Sequence, residues 1–395
     1  MVKIGDFYHL AVDRGKKAWN FTNVVVRPGG GWLQQQPSLG INMDNDVSIL
    51  DCTLRDGSYV NHFQFSTYDT AFLCAELAAA GVKLIEVGHG MGLGAHRRGG
   101  NLAAAATDAE YLKAAVPAAK GAVVGMFCIP GYATLDDIDL AADLGLGLLR
   151  VGTNVSDVED GNPFVERAKK RGLLVAANYM KSYASAPAEL AAKAKISQAA
   201  GADYVYIVDS AGGMLPDELD ACIDGIRSRV DVKLGYHGHN NLGLAVANSI
   251  LAAKKGVTLV DTSLQGLGRS SGNASTEQVL LLLDRMGMAQ KVDVFRLMNL
   301  GFERVQPLIA QVGLNPIEMV SGYALFHSSY MPLINKYSCH YCVDPMELII
   351  ELCKVDQVNA PEELVDKIAS NLAPKERGLF YGKYHLERYF VNEQG

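Results

Sequence analysis

From residue 47 onward one pattern repeats along the chain: a short apolar run, a polar turn, then a stretch with helical periodicity. The apolar runs fall at 47–50, 83–87, 122–127, 148–151, 174–177, 204–208, 232–236 and 258–260. Between them, 67–80, 135–142, 187–200, 216–230 and 245–255 read as helices. Strands alternating with helices imply a parallel sheet, because a parallel neighbour is reached only by a long crossover. Eight such runs predict an α/β fold of the closed (β/α)8, or TIM-barrel, kind. In that fold the strands end on one face, and chemistry sits just past those ends.

Two strand ends carry suitable groups. The run at 47–50 leads into Asp51-Cys52-Thr53-Leu54-Arg55-Asp56-Gly57-Ser58. A guanidinium beside a carboxylate can hold an anionic substrate and a divalent metal together. The run at 232–234 leads into Tyr236-His237-Gly238-His239-Asn240-Asn241. Residues two apart on a strand point the same way, so His237 and His239 can face one point. With Asp56 they form a two-histidine, one-carboxylate metal face with open positions. Alone, Arg55-Asp56 is also a common surface or capping pair, and His-x-His an ordinary loop. Each closing its own strand favours a site. Glu86, His89, Asn154, Asn178 and Asp209-Ser210 also lie at or near strand ends. His89 and Asn178 are read as substrate-pocket residues, Asp209 and Ser210 as caps or supports. The glycine-rich stretch at 265–273 lacks a lysine after its glycines, so it is not a P-loop; it reads as a wall that lets backbone approach the site.

These motifs, with Ile85-Glu86-Val87-Gly88-His89-Gly90-Met91-Gly92-Leu93-Gly94 and Val208-Asp209-Ser210-Ala211-Gly212-Gly213, resemble the DRE-TIM metallolyases, the superfamily of HMG-CoA lyase-like and isopropylmalate synthase-like enzymes. Ser58 after Arg-Asp-Gly resembles the 4-hydroxy-2-oxovalerate aldolase branch; the acyl-CoA-using synthases usually carry Glu there. The resemblance runs from about 44 to 372. It implies a class II pyruvate aldolase that cleaves or forms a 4-hydroxy-2-oxo acid. The implied cofactor is a divalent metal on Asp56, His237 and His239, Mn2+ first, with Mg2+, Co2+ or Zn2+ as alternatives. Arg55 would bind substrate and stabilise the oxyanion of the departing enolate, since it stays protonated and presents a planar fork. The resemblance further implies a homo-oligomer and an aldehyde dehydrogenase partner.

The chain departs from the branch where a base is needed. The aldolases usually have histidine directly after Arg-Asp-Gly-Ser; here Tyr59 stands there. They have a tyrosine in a carboxyl-terminal segment that reaches over the barrel; here that segment reads Tyr323-Ala324-Leu325-Phe326-His327. The expectation is an exchange, with Tyr59 and His327 sharing proton transfer and Tyr323 joining the substrate contacts. Asn178 replaces a serine of the branch, which points to a different substrate or acceptor aldehyde. Two other readings stand beside the aldolase. One is an acyl-CoA-dependent 2-oxo-acid condensing synthase, against which Ser58 argues. The other is a non-catalytic aldolase-derived scaffold, against which the retained Arg55, Asp56, His237 and His239 argue.

The remaining sequence sets the surroundings. The expected organisation is an N-terminal arm at 1–43 of unassigned role, a barrel at 44–288, a helical module at 289–372 and a tail at 373–395. With 43 acidic against 36 basic residues the chain is a poor nucleic-acid binder. No apolar run approaches the length of a membrane span, and the first residues show no basic-then-apolar signal. Seven scattered cysteines read as reduced thiols of a cytoplasmic protein. Cys339-His340-Tyr341-Cys342 is a lone CxxC and reads as structural.

Overall fold

The computed structural model describes residues 47–288, 290–309 and 315–373. The arm at 1–43 and the tail beyond 373 lie outside them. Eight parallel strands close into a barrel in sequence order. They are β1 (Ser48–Asp51), β2 (Leu84–Glu86), β3 (Val123–Cys128), β4 (Leu148–Asn154), β5 (Leu174–Met180), β6 (Tyr204–Asp209), β7 (Lys233–Gly238) and β8 (Leu259–Thr262). Closure comes from β1 against β8, with Ser48 opposite Leu259 and Asp51 opposite Thr262. Every strand foreseen from an apolar run is present. The strands β4 and β5 extend three residues past their runs, pairing Gly152 with Asn178, Thr153 with Tyr179 and Asn154 with Met180. Polar side chains there hide the strand from an apolar count, and Asn178 therefore sits inside β5 rather than beyond it.

The crossover helices are α1 (Thr67–Ala80), α2 (Asp108–Ala118), α3 (Leu135–Asp143), α4 (Asn162–Lys170), α5 (Pro187–Ala199), α6 (Pro216–Arg227), α7 (Ala245–Lys254) and α8 (Thr276–Arg285). Local chemistry sets their ends. At the start of α1, Ser66 Oγ accepts from the Asp69 amide at 3.1 Å and the Ser66 amide donates to Asp69 Oδ2 at 2.9 Å. This reciprocal box satisfies two amides that the first turn leaves open. At its end Gly81 takes φ +101°, a left-handed cap that suits glycine. The main core lies between the strands and these helices, with Leu77, Ile85, Leu149, Val205, Ile223 and Val260 buried in it.

After the barrel come α9 (Val294–Leu300), a π-helical turn (Gly301–Val305), α10 (Pro316–Ala324), α11 (Met331–Tyr341), α12 (Pro345–Cys353) and α13 (Glu362–Leu372). The strand–helix alternation ends with α8, but the core changes later. Leu297, Leu300 and Val305 pack into the barrel core. A second apolar cluster starts at Ile317 and includes Phe326, Met331, Ile334, Leu348 and Val365. The helices α10–α13 thus share a core of their own. No helix among the described residues is long and apolar enough to cross a membrane. Among the described residues no disulfide joins the seven cysteines, five of which are buried.

Candidate active site

The chain leaves β1 and folds back in a short 3-10 turn, Asp56–Tyr59. That turn sets Arg55 and Asp56 at the barrel mouth, both buried. Asp56 Oδ1 accepts from Arg55 Nη1 at 2.8 Å. At the end of β7 the His237 and His239 rings stand nearly perpendicular, 5.0 Å between centroids. Asp56, His237 and His239 each offer a ligand atom, and these atoms lie within 4.8 Å of one another.

The hydrogen bonds around these groups decide whether they suit a cation. His237 Nδ1 lies 2.8 Å from Asp261 Oδ2, which only accepts, so Nδ1 carries a proton and Nε2 is the ring nitrogen left to ligate. His239 Nδ1 lies 3.2 Å from the Gly272 carbonyl, with the same consequence. Burial pushes His239 down to about 3, so its imidazole is neutral, the form that ligates. Burial opposes the charge on Asp56, but Arg55, His239, His237 and Arg269 together outweigh it and hold the carboxyl well below the usual carboxylate range. Asp56 Oδ2 is fixed by Asn273 Nδ2 at 2.8 Å and the Arg269 amide at 3.1 Å. Two imidazoles and one carboxylate converge, each with an atom able to ligate. This donor set fits a divalent metal.

Behind this face runs a line of charges, of which sequence reading missed Arg150 and Asp261. Glu86 Oε2 accepts from Arg55 Nε at 2.7 Å and from Arg150 Nη1 at 2.8 Å. Arg150 Nη2 donates to Asp261 Oδ2, the oxygen that also holds His237. Phe127 underlies Arg55, 4.8 Å from guanidinium carbon to ring centroid. Arg150 and Asp261 lie inside apolar strands. A charge embedded in such a run, buried on both faces of a parallel sheet, is the signal that would have found them.

The pocket at the mouth encloses about 430 Å³, open solvent included. Arg55, Asp56, Tyr59, Asn178, His237 and His239 all line it, with Arg150, Arg269, Phe127 and others. Asn178 Oδ1 is buried without a hydrogen-bond partner among the described residues. The structure does not bring His89 or Tyr323 to the pocket. His89 lies past the short β2, with both ring nitrogens committed: Nδ1 accepts from the Met91 amide at 3.1 Å, and Nε2 lies 3.1 Å from the Leu102 carbonyl. Its ring stacks on Phe63 at 3.8 Å, and burial pushes it down to about 4. Tyr323 is 72% exposed on the outside of α10. His327 is buried and does not line the pocket, but Arg269 does, and its Nη2 lies 3.0 Å from His327 Nε2. The His327 Nδ1 accepts from the Ser329 amide at 3.2 Å and lies 2.7 Å from Ser329 Oγ.

Residues 46–302 match the HMGL-like family. A relative named 4-hydroxy-2-oxovalerate aldolase, from Moorella thermoacetica, is 35% identical over 84% of this chain and 98% of its own. This chain belongs to the HMGL-like family, on its 4-hydroxy-2-oxovalerate aldolase branch. A second member of that branch, 4-hydroxy-2-oxovalerate aldolase 2 from Rhodococcus jostii, is 37% identical over 84% of this chain and 96% of its own. Among solved structures, the N-terminal domain of a putative aldolase from Bacteroides vulgatus superposes with a TM-score of 0.61 at 24% identity, covering 78% of this chain and 97% of that one. At that identity the likeness speaks to the fold alone.

The HMGL-like barrel is roofed by its own carboxyl-terminal helices. Lys181, fully buried just past β5, donates from Nζ to Tyr330 Oη at 3.1 Å and to the Val358 carbonyl. Glu318 Oε2 accepts from Asn241 Nδ2 at 3.1 Å and from Ser270 Oγ. Gly213 and Gly322 lie so close that a Cβ on Gly213 would sit 2.0 Å from the Gly322 carbonyl oxygen. These contacts place the segment carrying His327 beside the glycine-rich loop at 265–273.

Proposed function

We propose that this HMGL-like protein is a class II pyruvate aldolase that cleaves or forms a 4-hydroxy-2-oxo acid. The observation that carries the reading is the buried Asp56–His237–His239 face beside Arg55 in one pocket. A divalent cation held there, Mn2+ in this reading, would supply Lewis acidity to the 2-oxo group. In the cleavage direction the C3–C4 bond breaks, its electron pair moves to C3 and the carbonyl oxygen gains negative charge. Arg55, locked by Asp56 and Glu86, is placed to stabilise that charge. The 4-hydroxyl proton leaves as the new aldehyde forms. Tyr59 lines the pocket and takes the proton-handling role, with the Arg269 guanidinium 5.7 Å from its ring centroid to balance charge. His327 orients Arg269 from behind. Asn178, with its orphaned amide oxygen, reads a donor on the substrate.

The same reading takes 44–288 as the catalytic barrel and 289–372 as a module that communicates with a partner. It includes a cytoplasmic homo-oligomer and an aldehyde dehydrogenase that accepts the product aldehyde; these rest on kinship with the aldolase branch. The test is pyruvate release from a panel of 4-hydroxy-2-oxo acids, with Mn2+ and again with chelator. Metal-dependent pyruvate is the expected result. Metal-loaded protein that releases none from any member of the panel overturns the reading.

A further inference from the structure

Four side chains from alternate strands meet beneath the pocket floor: Glu86 of β2, Arg150 of β4, Tyr206 of β6 and Asp261 of β8. All four are buried. Four-residue layers from alternate strands are the ordinary filling of such barrels, but the usual occupants are Val, Ile and Leu. Here Arg150 touches the other three. Its guanidinium carbon lies 4.5 Å from the Tyr206 ring centroid, Nη1 donates to Glu86 Oε2 at 2.8 Å, and Nη2 donates to Asp261 Oδ2. The ring has room only because residue 235 is glycine; a Cβ there would lie 2.2 Å from Tyr206 Cε2. Burying a guanidinium and two carboxylates costs more than a hydrocarbon layer, so this layer serves something other than stability.

The two carboxylates lead to two different parts of the site. The Glu86 oxygen that meets Arg150 also accepts from Arg55 Nε at 2.7 Å. The Asp261 oxygen that meets Arg150 also holds His237 Nδ1 at 2.8 Å. One planar fork therefore spans from the oxyanion-side guanidinium to a ligand-bearing imidazole. We propose that Arg150 is a positioning residue that holds Arg55 and His237 in register, so that both face the same substrate carbonyl. The inference rests on the aldolase reading for what that register serves. A lysine cannot substitute, because one ammonium does not reproduce a rigid two-armed fork. Arg150 also lines the pocket, and its Nε is buried without a partner among the described residues. Direct contact with the substrate is thus the competing role.

The test uses the full chain with two readouts, pyruvate kinetics at saturating Mn2+ and Mn2+ affinity by equilibrium dialysis. Glu86→Gln cuts the Arg55 arm and should lower kcat about tenfold or more, with Mn2+ affinity within about twofold of wild type. Asp261→Asn cuts the His237 arm and should weaken Mn2+ by about 10–100-fold. Arg150→Lys should show both losses, with KM within about threefold of wild type. A rise in KM alone for Arg150→Lys, or wild-type values in both readouts, overturns the proposal. If Arg150→Lys does not fold, the single-arm variants still decide: equal effects of both on both readouts also overturn it. If wild type releases no pyruvate, the aldolase reading fails by itself. The Mn2+ shifts of Asp261→Asn and Arg150→Lys then still report on the His237 arm.

Discussion

The floor of the pocket and its roof are held by different means. In the floor, charged groups pair with charged groups across strands whose relative heights are fixed by ladder hydrogen bonds. Asp56, Arg55, Glu86, Arg150, Asp261 and His237 form one unbroken line of contacts. In the roof, the contacts join loops and helix ends: Lys181 to Tyr330, Arg269 to His327, Asn241 to Glu318. A floor built on a closed sheet resists displacement. A roof with its own apolar core and polar seams is the part that can change without disturbing the metal face. Substitutions in the floor should therefore strike chemistry, and substitutions in the roof should strike stability or substrate handling.

The largest expected effect is in the floor. Asp56→Ala removes the one carboxylate of the metal face and leaves Arg55 to Glu86 alone. Bound Mn2+, measured by elemental analysis after dialysis, should be lost. Pyruvate release should fall about 10³-fold or more, since metal Lewis acidity is worth several kcal/mol. Retained turnover with no metal would break the comparison outright.

Next comes the boundary between floor and roof. Tyr59→Phe removes a hydroxyl that lines the pocket and should lower kcat by about 10²-fold or more, with Mn2+ content unchanged. His327→Ala removes the acceptor behind Arg269 together with the Nδ1 contacts to Ser329 and should cost about tenfold, which His327→Gln, able to accept from Arg269, should largely restore. If His327→Ala instead equals Tyr59→Phe and Gln does not rescue it, the histidine reaches substrate and the seam is part of the chemistry.

How much of this was legible follows the same division. The strands, the barrel and the convergence of Asp56, His237 and His239 follow from where residues fall along a repeating strand–helix pattern, a local property of sequence. Arg150 and Asp261 were missed because a strand search counts apolar residues and passes over a charge set among them. His89 was misplaced because β2 is only three residues long, so a residue three positions past it has already turned into a loop. Nothing local foretells the roof, since Lys181–Tyr330 and Arg269–His327 exist only once the helical module docks.

The seam gives the third effect, in stability. Lys181→Met removes a buried donor, but Tyr330 Oη still donates to the Val358 carbonyl at 2.9 Å. The expected cost is about 1–2 kcal/mol in denaturant unfolding, with helices α10–α13 cut by protease before the barrel. A smaller pH effect sits beside the floor. His89 is held at about 4, below its ordinary value of 6.5, so the folded state favours neutral imidazole. That contribution is fully present above pH 6.5 and is lost as pH falls toward 4. His89→Phe should therefore cost more stability at about pH 7.5 than at about pH 4.5. The same cost at both would show that the packing of the ring on Phe63, not its charge state, carries its role.

The smallest effect tests the roof at its outer face. Tyr323 and His327 are four apart, and a continuous helix would put them on the same side. The helix α10 stops at Ala324, and Leu325 takes φ +58°, which breaks that phase. Phe326 then turns into the module core and His327 toward Arg269, while Tyr323 is left outside. An exposed side chain away from the pocket contributes little, so Tyr323→Ala should leave kcat/KM within about twofold and stability within about 0.5 kcal/mol. A large loss of activity with normal stability would mean that α10 rotates when substrate binds. Tyr323 would then trade places with the segment that now covers the mouth, and the roof would be a moving part of the site.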